Sequence, residues 1–209
     1  MLKILIADDH AIVRKGLKQL LLEEFPSAII GEVSDTEGLL KQVINDGWNI
    51  VICDMNMPGR SGLDALAHIK QVAPDLPVLI MSMYPEDQYA LRVLKAGASG
   101  YLQKESIHDD IIKAIHTVKL GKKFITPTIA EKLAEAFHNN NNKQPHELLS
   151  DREFDVFKLI ASGKSVSDIA HQLSLSTTTV STYRSRILEK MGIRSNAELT
   201  RYALEKNLI

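Results

Sequence analysis

Short apolar runs rich in aliphatic residues recur through the first half of the chain. They are Ile4-Leu5-Ile6-Ala7, Ile50-Val51-Ile52-Cys53, Val78-Leu79-Ile80-Met81 and Gly100-Tyr101-Leu102. Continuous runs of this kind predict buried strands of a parallel sheet rather than half-exposed ones. With a further segment, they place strands near 3–7, 29–33, 50–54, 78–82 and 100–102. Amphipathic stretches near 11–24, 36–46, 62–72, 87–96 and 107–120 separate them. In the first, Ile12, Val13, Leu17, Leu20 and Leu21 recur at helical spacing. Five βα units predict an α/β doubly wound five-stranded parallel sheet with helices on both faces.

After Gly121 the alternation stops. Thr126-Pro127 can open a helix through Ile129, Leu133 and Phe137, with proline at its first position. The tract His138-Asn139-Asn140-Asn141-Asn142-Lys143-Gln144-Pro145 has no apolar side chains to bury and reads as a flexible linker. From 148 onward the pattern is helical throughout. Ser150, Ser165 and Ser195 each precede an acid at the third position, Glu153, Asp168 and Glu198, as in a capping box. Ser176 supplies a fourth N-cap, and Gly163 and Gly192 stand where helices should stop. The expectation is a small all-α four-helix domain, so the chain divides into 1–122, a connecting segment 123–147, and 148–209.

The apolar runs also carry chemistry. Asp8-Asp9 follows the first, Asp54 the third and Ser82 the fourth, and Lys104 follows the fifth. Ligands of open α/β sheets bind outside the carboxyl ends of the strands, so these groups should meet at one edge. In the expected strand order 2-1-3-4-5, the first and third strands are neighbours. Three close carboxylates repel one another unless a cation sits among them, and their hard oxygens favour Mg²⁺. A carboxylate can attack phosphorus to give an acyl phosphate. Lys104 would offset charge on the phosphoryl oxygens, and Ser82 would donate a hydrogen bond to one. An Asp-Asp pair after a strand also serves as a turn and helix cap. The turn reading, however, does not require Ser82 and Lys104 at the successive strand ends.

Composition narrows the classes. The 209 residues carry 25 basic and 26 acidic groups, a net charge of −1. Residues 150–209 hold nine basic and seven acidic groups and the remainder sixteen and nineteen. This bias does not by itself identify a nucleic-acid binder. Apolar stretches fall far short of the ~20 residues a membrane span needs. There is no basic-then-apolar leader, which points to the cytoplasm and away from a membrane. The single cysteine, Cys53, cannot form an internal disulfide and reads as core. The seven histidines lack paired metal-ligand spacing and read as surface or packing residues.

Residues 1 to about 122 resemble the receiver domain of two-component response regulators, a flavodoxin-like fold. The matching residues are Asp8-Asp9, Asp54, Met57-Pro58-Gly59 with Gly62, Ser82, Tyr101 and Lys104. The resemblance implies that Asp54 accepts a phosphoryl group from a sensor histidine kinase. It implies Mg²⁺ bound directly by Asp9 and Asp54, through water by Asp8, and by the Asn56 backbone carbonyl. Lys104 and Ser82 would contact the phosphoryl group, and Tyr101 would change rotamer as Ser82 moves. Lys104 is followed by Glu105, where many receivers place a proline.

Residues 148–209 resemble the LuxR-type helix-turn-helix of the NarL/FixJ class. The likeness runs from Leu149-Ser150-Asp151-Arg152-Glu153 through Gly163-Lys164-Ser165, Asp168-Ile169-Ala170, Leu175-Ser176, Thr179-Val180 and Tyr183-Arg184 to Ile187-Leu188-Glu189-Lys190-Met191-Gly192. In the helix after Ser176, the spacing turns Val180, Tyr183, Ile187 and Met191 inward and Ser181, Thr182, Ser185 and Arg186 outward. Such a helix fits the major groove. Thr178 and Thr179 near its start, with Arg184 and Lys190, complete the expected DNA contacts, Thr178 meeting phosphate with help from the helix dipole. Many members of the class carry lysine where this chain has Ser181. The last helix, near 196–206, shows a Leu199/Ala203/Leu204 stripe with Ala197, Thr200 and Arg201 beside it, and by resemblance its outer face pairs with a second copy.

The function expected is a phosphorylation-controlled transcription regulator, not an enzyme. Its partners are promoter DNA, a second copy of itself and RNA polymerase. An alternative is a phosphorylation-independent DNA-binding regulator that uses its receiver for dimerisation. A haloacid-type phosphatase would place a second aspartate two residues after the nucleophile, where this chain has Asn56.

Overall fold

Five parallel strands form one sheet in the order β2-β1-β3-β4-β5. They are β1 (Lys3–Ala7), β2 (Ile29–Val33), β3 (Ile50–Asp54), β4 (Val78–Ser82) and β5 (Gly100–Gln103). The structure is a computed structural model and describes residues 1–57, 61–138 and 144–209. Pro58 and Gly59 of the receiver pattern, and residues 139–143 of the expected linker, lie outside the described residues. The chain packs as two units, Met1–Ala134 and Glu135–Ile209.

The strands fall where the apolar runs predict. Every residue of β3 and β4 is buried, as befits central strands covered on both faces, whereas edge strand β2 is only partly covered. The helices between them are α1 (Ala11–Glu24), α2 (Thr36–Asn45), α3 (Gly62–Val72), α4 (Glu86–Lys95) and α5 (Ile107–Lys119). On one face, Ile4, Ile6, Ile50, Ile52, Leu79, Met81 and Leu102 pack with Leu17 and Leu21 of α1 and Ile111, Ala114, Ile115 and Val118 of α5. Elsewhere α2 packs on β1 and β2, α3 on α2, and α4 on β5. Register then sets the site: Ala7 lies beside Cys53, Asp54 beside Met81 and Ser82 beside Gln103. The residues just past β1, β3 and β5 therefore emerge together.

A sixth helix, α6 (Pro127–His138), follows the expected Thr126-Pro127 start. Residues 123–134 pack with the first unit, and Phe124 joins its sheet core.

The second unit contains a 3-10 turn (Pro145–Leu148), α7 (Asp151–Ala161), α8 (Val166–Gln172), α9 (Thr177–Met191) and α10 (Asn196–Glu205). Phe154, Phe157, Ile160, Ile169, Val180, Ile187, Leu199 and Ala203 are buried in it. The boxes at Ser150/Glu153 and Ser165/Asp168 close in both directions. At Ser195 only half forms. The Glu198 N–H donates to Ser195 Oγ, but the Glu198 carboxylate accepts from the Arg194 N–H instead of that of Ser195. A further box at Ser61/Asp64 opens α3. Gly192 ends α9 at φ 64°, a left-handed turn that glycine adopts without a Cβ penalty.

Candidate functional site

Lys104 joins the strand ends. Its Nζ lies 2.7 Å from Asp8 Oδ2 and 2.9 Å from Asp54 Oδ1. Asp8 is fully buried and Asp54 nearly so. Two sequestered carboxylates so close repel strongly, and one ammonium between them offsets part of that cost. Backbone bonds hold the frame. Lys104 N–H donates to the Ser82 carbonyl and Met55 N–H to the Met81 carbonyl, each at 2.8 Å.

The balance of charge is visible in the pKa values. Burial pushes the Asp54 carboxyl up to about 6; Lys104 opposes this, while Asp8 and Asp9 add to it. Burial works against the Lys104 ammonium, but its carboxylate partners outweigh it and its pKa is raised. The beginnings of a cation site are present. Asp8, Asp9, His10 and Asp54 offer ligand atoms that all lie within 4.8 Å of one another. Asp9 Oδ1 is buried and receives no hydrogen bond. His10 Nδ1 approaches it to 2.7 Å as an ion-pair contact without hydrogen-bond geometry. The His10 N–H donates to Asp8 Oδ1 at 2.7 Å. A hard divalent cation suits this oxygen-rich, partly orphaned set.

His10 was not among the residues singled out from the sequence, where the histidines read as surface or packing groups. Its position next to Asp8-Asp9 was the available signal. The side chain is 64% exposed and lies over the acidic pair. Asn56 is exposed between buried Met55 and Met57, two methionines that pin the loop after β3.

Ser82 and Tyr101 are both fully buried. Tyr84 connects them: its N–H donates to Ser82 Oγ at 3.1 Å, and its carbonyl accepts from the Tyr101 hydroxyl at 2.7 Å. Burial drives the Tyr101 phenol pKa upward, so the hydroxyl stays a donor. Among the described residues every peptide bond is trans.

Gly62 explains itself by distance. A Cβ there would stand 2.3 Å from the Asp54 carbonyl oxygen and 2.9 Å from Met55 Cα, both backbone atoms. Its N–H donates to the Met55 carbonyl at 2.8 Å. The first turn of α3 is thus set directly against the phosphoacceptor candidate.

The second unit presents α9. Val180, Ile187 and Met191 are buried and Tyr183 is half-buried; Thr178, Ser181, Thr182, Ser185 and Arg186 are exposed. Thr179 shares a hydrogen bond with the cap Ser176, their hydroxyl oxygens 2.7 Å apart. Two cations expected to face DNA are held within the domain. Lys190 Nζ lies 2.6 Å from Glu153 Oε2, and Arg184 Nε donates to Asn196 Oδ1 at 2.8 Å. The Arg186 side chain makes no hydrogen bond or ion pair among the described residues. Thr182 and Ser185 donate their hydroxyls to the carbonyls of Thr178 and Ser181. The α10 stripe divides: Leu199 and Ala203 are buried, Leu204 is 59% exposed.

Residues 4–116 match the family described as response regulator receiver domain, and residues 147–203 the bacterial regulatory proteins of the luxR family. Oxygen regulatory protein NreC of Staphylococcus carnosus is 34% identical over 215 residues, covering 100% of this chain and 99% of its own. Response regulator GacA of Pseudomonas syringae pv. syringae is 35% identical over 210 residues, covering 100% and 98%. Among solved structures, RcsB of Salmonella enterica serovar Typhimurium, bound to promoter rprA in the presence of phosphomimetic BeF3⁻, superposes with a TM-score of 0.64 at 26% identity. That match covers 97% of this chain and 98% of that one.

Two substitutions test the local arguments. Gly62→Ala would gain about 1 kcal/mol in an ordinary helix interior. Here it should instead lower the stability of the first unit by about 1–3 kcal/mol through overpacking. Gly16→Ala in α1, where nothing lies within 4 Å of the new Cβ, should raise stability by about 0.5–1 kcal/mol. Urea unfolding followed by Trp48, the single tryptophan, reads both.

Lys190→Met leaves the buried Glu153 carboxylate with its Ser150 contacts alone. Because Lys190 is 41% exposed, the loss should be about 1–2 kcal/mol, near tenfold in amide-exchange protection of α9. Burial pushes the Glu153 pKa up, but Lys190 and Ser150 outweigh it and hold the pKa below the usual carboxylate value. This stabilisation is therefore present above the unfolded-state pKa of about 4.3 and is lost as pH falls through the lower folded value. The difference between the two proteins should narrow as pH drops below about 4.

Proposed function

The chain belongs to the response regulators that join a receiver domain to a LuxR-type DNA-binding domain, and on that basis we propose that Asp54 is its phosphoacceptor. The members of this family are DNA-binding transcription regulators rather than enzymes. Residues 1–122 act as receiver, 123–147 as connection and 148–209 as DNA-binding domain. The observation that carries the reading is the Lys104 bridge from Asp8 to Asp54, beside an orphaned Asp9 oxygen.

The donor is a sensor histidine kinase. An Asp54 carboxylate oxygen attacks phosphorus as the phosphorus–nitrogen bond of a phosphohistidine breaks, and the freed imidazole leaves with the bonding electron pair. Phosphoryl transfer needs positioning and charge stabilisation more than covalent help from the protein. Asp9 and Asp54 would hold Mg²⁺ directly, Asp8 through water and Asn56 through its carbonyl. When bound, Mg²⁺ neutralises the carboxylates and the incoming phosphoryl oxygens. Lys104 exchanges a carboxylate for a phosphoryl oxygen, and Ser82 donates its hydroxyl to another. At neutral pH an acid held near 6 is mostly ionised, so Asp54 is available as a nucleophile.

The output is DNA binding through Thr178, Thr179, Ser181, Thr182, Ser185 and Arg186. Arg184 and Lys190 position α9 while remaining near enough to its surface to meet backbone phosphates. Phosphorylation favours one of two pre-existing states and thereby changes dimerisation, release of the DNA-binding domain, or both. Promoter DNA, a second copy and RNA polymerase are the partners, and the cytoplasm is where they meet.

The test uses acetyl phosphate and Mg²⁺, with intact mass as the readout. Wild type should gain one phosphoryl group. Asp54→Ala should gain none, and Lys104→Met should react about 10²-fold more slowly, the scale for losing one stabilising donor. Solution mass with Mg²⁺ and beryllofluoride should rise for wild type and stay constant for Asp54→Ala. Labelling that persists in Asp54→Ala would sink the assignment.

A further inference from the structure

The connection between the two units begins inside the first. Phe124 runs alongside the start of β5, donating its N–H to the Ser99 carbonyl at 2.8 Å and pairing with Gly100 as a parallel bridge. That anchor lies at the end of β5 away from Lys104. A second anchor leads towards the site. The Thr126 hydroxyl accepts from the Ile129 N–H at 3.2 Å, capping α6, and donates to Glu86 Oε2 at 2.9 Å. Glu86 is the first residue of α4.

The chain enters α4 through Tyr84, the residue that holds Ser82 and Tyr101 together. Its ring also stacks on Tyr89 of α4, with centroids 4.7 Å apart and planes 14° apart. Hydrogen bonds and three consecutive residues thus join Ser82 to the first turn of α6. We propose that the Glu86–Thr126 contact is a latch by which occupancy of the Asp54 site is reported to α6. This inference rests on Asp54 being the phosphoacceptor.

The physical sequence is short. A phosphoryl oxygen that takes the Ser82 hydroxyl draws Oγ away from the Tyr84 N–H. Tyr84 then follows Tyr101, which grips its carbonyl. The motion reaches Glu86 two residues later, through Pro85, the N-cap of α4. Thr126 either follows, turning the start of α6, or releases Glu86 and keeps only its cap to Ile129. Each outcome changes the first turn of α6, and α6 continues without a break to the end of the first unit at Ala134.

The experiment is amide exchange read by mass on the full chain, with and without Mg²⁺ plus beryllofluoride. Peptides spanning 82–90 report the site, and peptides spanning 124–134 report α6. One hydrogen bond is worth about threefold to tenfold in an opening equilibrium, so wild type should change by that much in both segments. Glu86→Ala leaves the Thr126 cap in place; it should keep the response at 82–90 and lose it at 124–134. Glu86→Gln retains an acceptor oxygen and should restore it. A response at 124–134 that is equal in wild type and Glu86→Ala overturns the latch. So does silence at 124–134 in wild type while 82–90 responds, and in both cases the phosphoacceptor reading stands. Silence at 82–90 in wild type overturns that reading and the latch with it.

Discussion

Asp8, Asp54 and Lys104 meet in a space that excludes most water, and the first unit is organised around the charge imbalance this creates. Two unit charges 4 Å apart interact by roughly 4 kcal/mol at an effective dielectric near 20. One ammonium serves two buried carboxylates, and a third carboxylate, Asp9, stands alongside with an oxygen that lacks a hydrogen bond. The cluster is therefore short of positive charge. A hard cation would supply what is missing, and the need for it would grow once a phosphoryl group brought its own negative charge to the cluster. Asp8 is committed to both Lys104 and the His10 N–H, whereas burial has already moved Asp54 towards its neutral form.

The sheet imposes this crowding. Its order brings β1 and β3 side by side, and the register of Ala7 with Cys53 puts Asp8 level with Asp54. Neither carboxylate can be moved without moving a buried strand. Gly62 closes the remaining side, because no side chain fits between α3 and the Asp54 carbonyl. Strain and repulsion at such a site persist only where the surrounding core over-determines them. The fully buried β3 and β4 provide that support.

Much of this was legible in the sequence because it depends on local pattern. Aliphatic runs marked the strands, and in an open α/β sheet the strand ends bring Asp8, Asp9, Asp54 and Lys104 together. Serine followed by an acid three residues later marked two complete capping boxes. Ser195 formed only half of one, because the Glu198 carboxylate turned to the Arg194 N–H, one residue further back. What escaped the sequence were pairings that only tertiary structure creates. Lys190 finds Glu153 across 37 positions, and Thr126 finds Glu86 across 40. No periodicity encodes such partners. His10 escaped for another reason: a single exposed histidine carries no spacing signal, and its role appears only when the carboxylates around it are in place.

The same long-range pairings bear on how α9 meets DNA. Lys190 and Arg184 spend their charge fixing the helix to α7 and to the start of α10. That leaves Arg186 and a row of hydroxyls on the exposed face. Thr182 and Ser185 already give their protons to the helix backbone, so in their present rotamers they offer acceptor lone pairs. A groove-docked α9 with this face neutralises few phosphates, and the electrostatic share of binding scales with the number neutralised. Were α9 to dock in a groove by this face, discrimination would rest more on fit to base edges and on the pairing of two half-sites than on charge. A domain with weak general affinity for DNA gains most from dimerisation, and dimerisation is a step that a phosphorylated receiver can control.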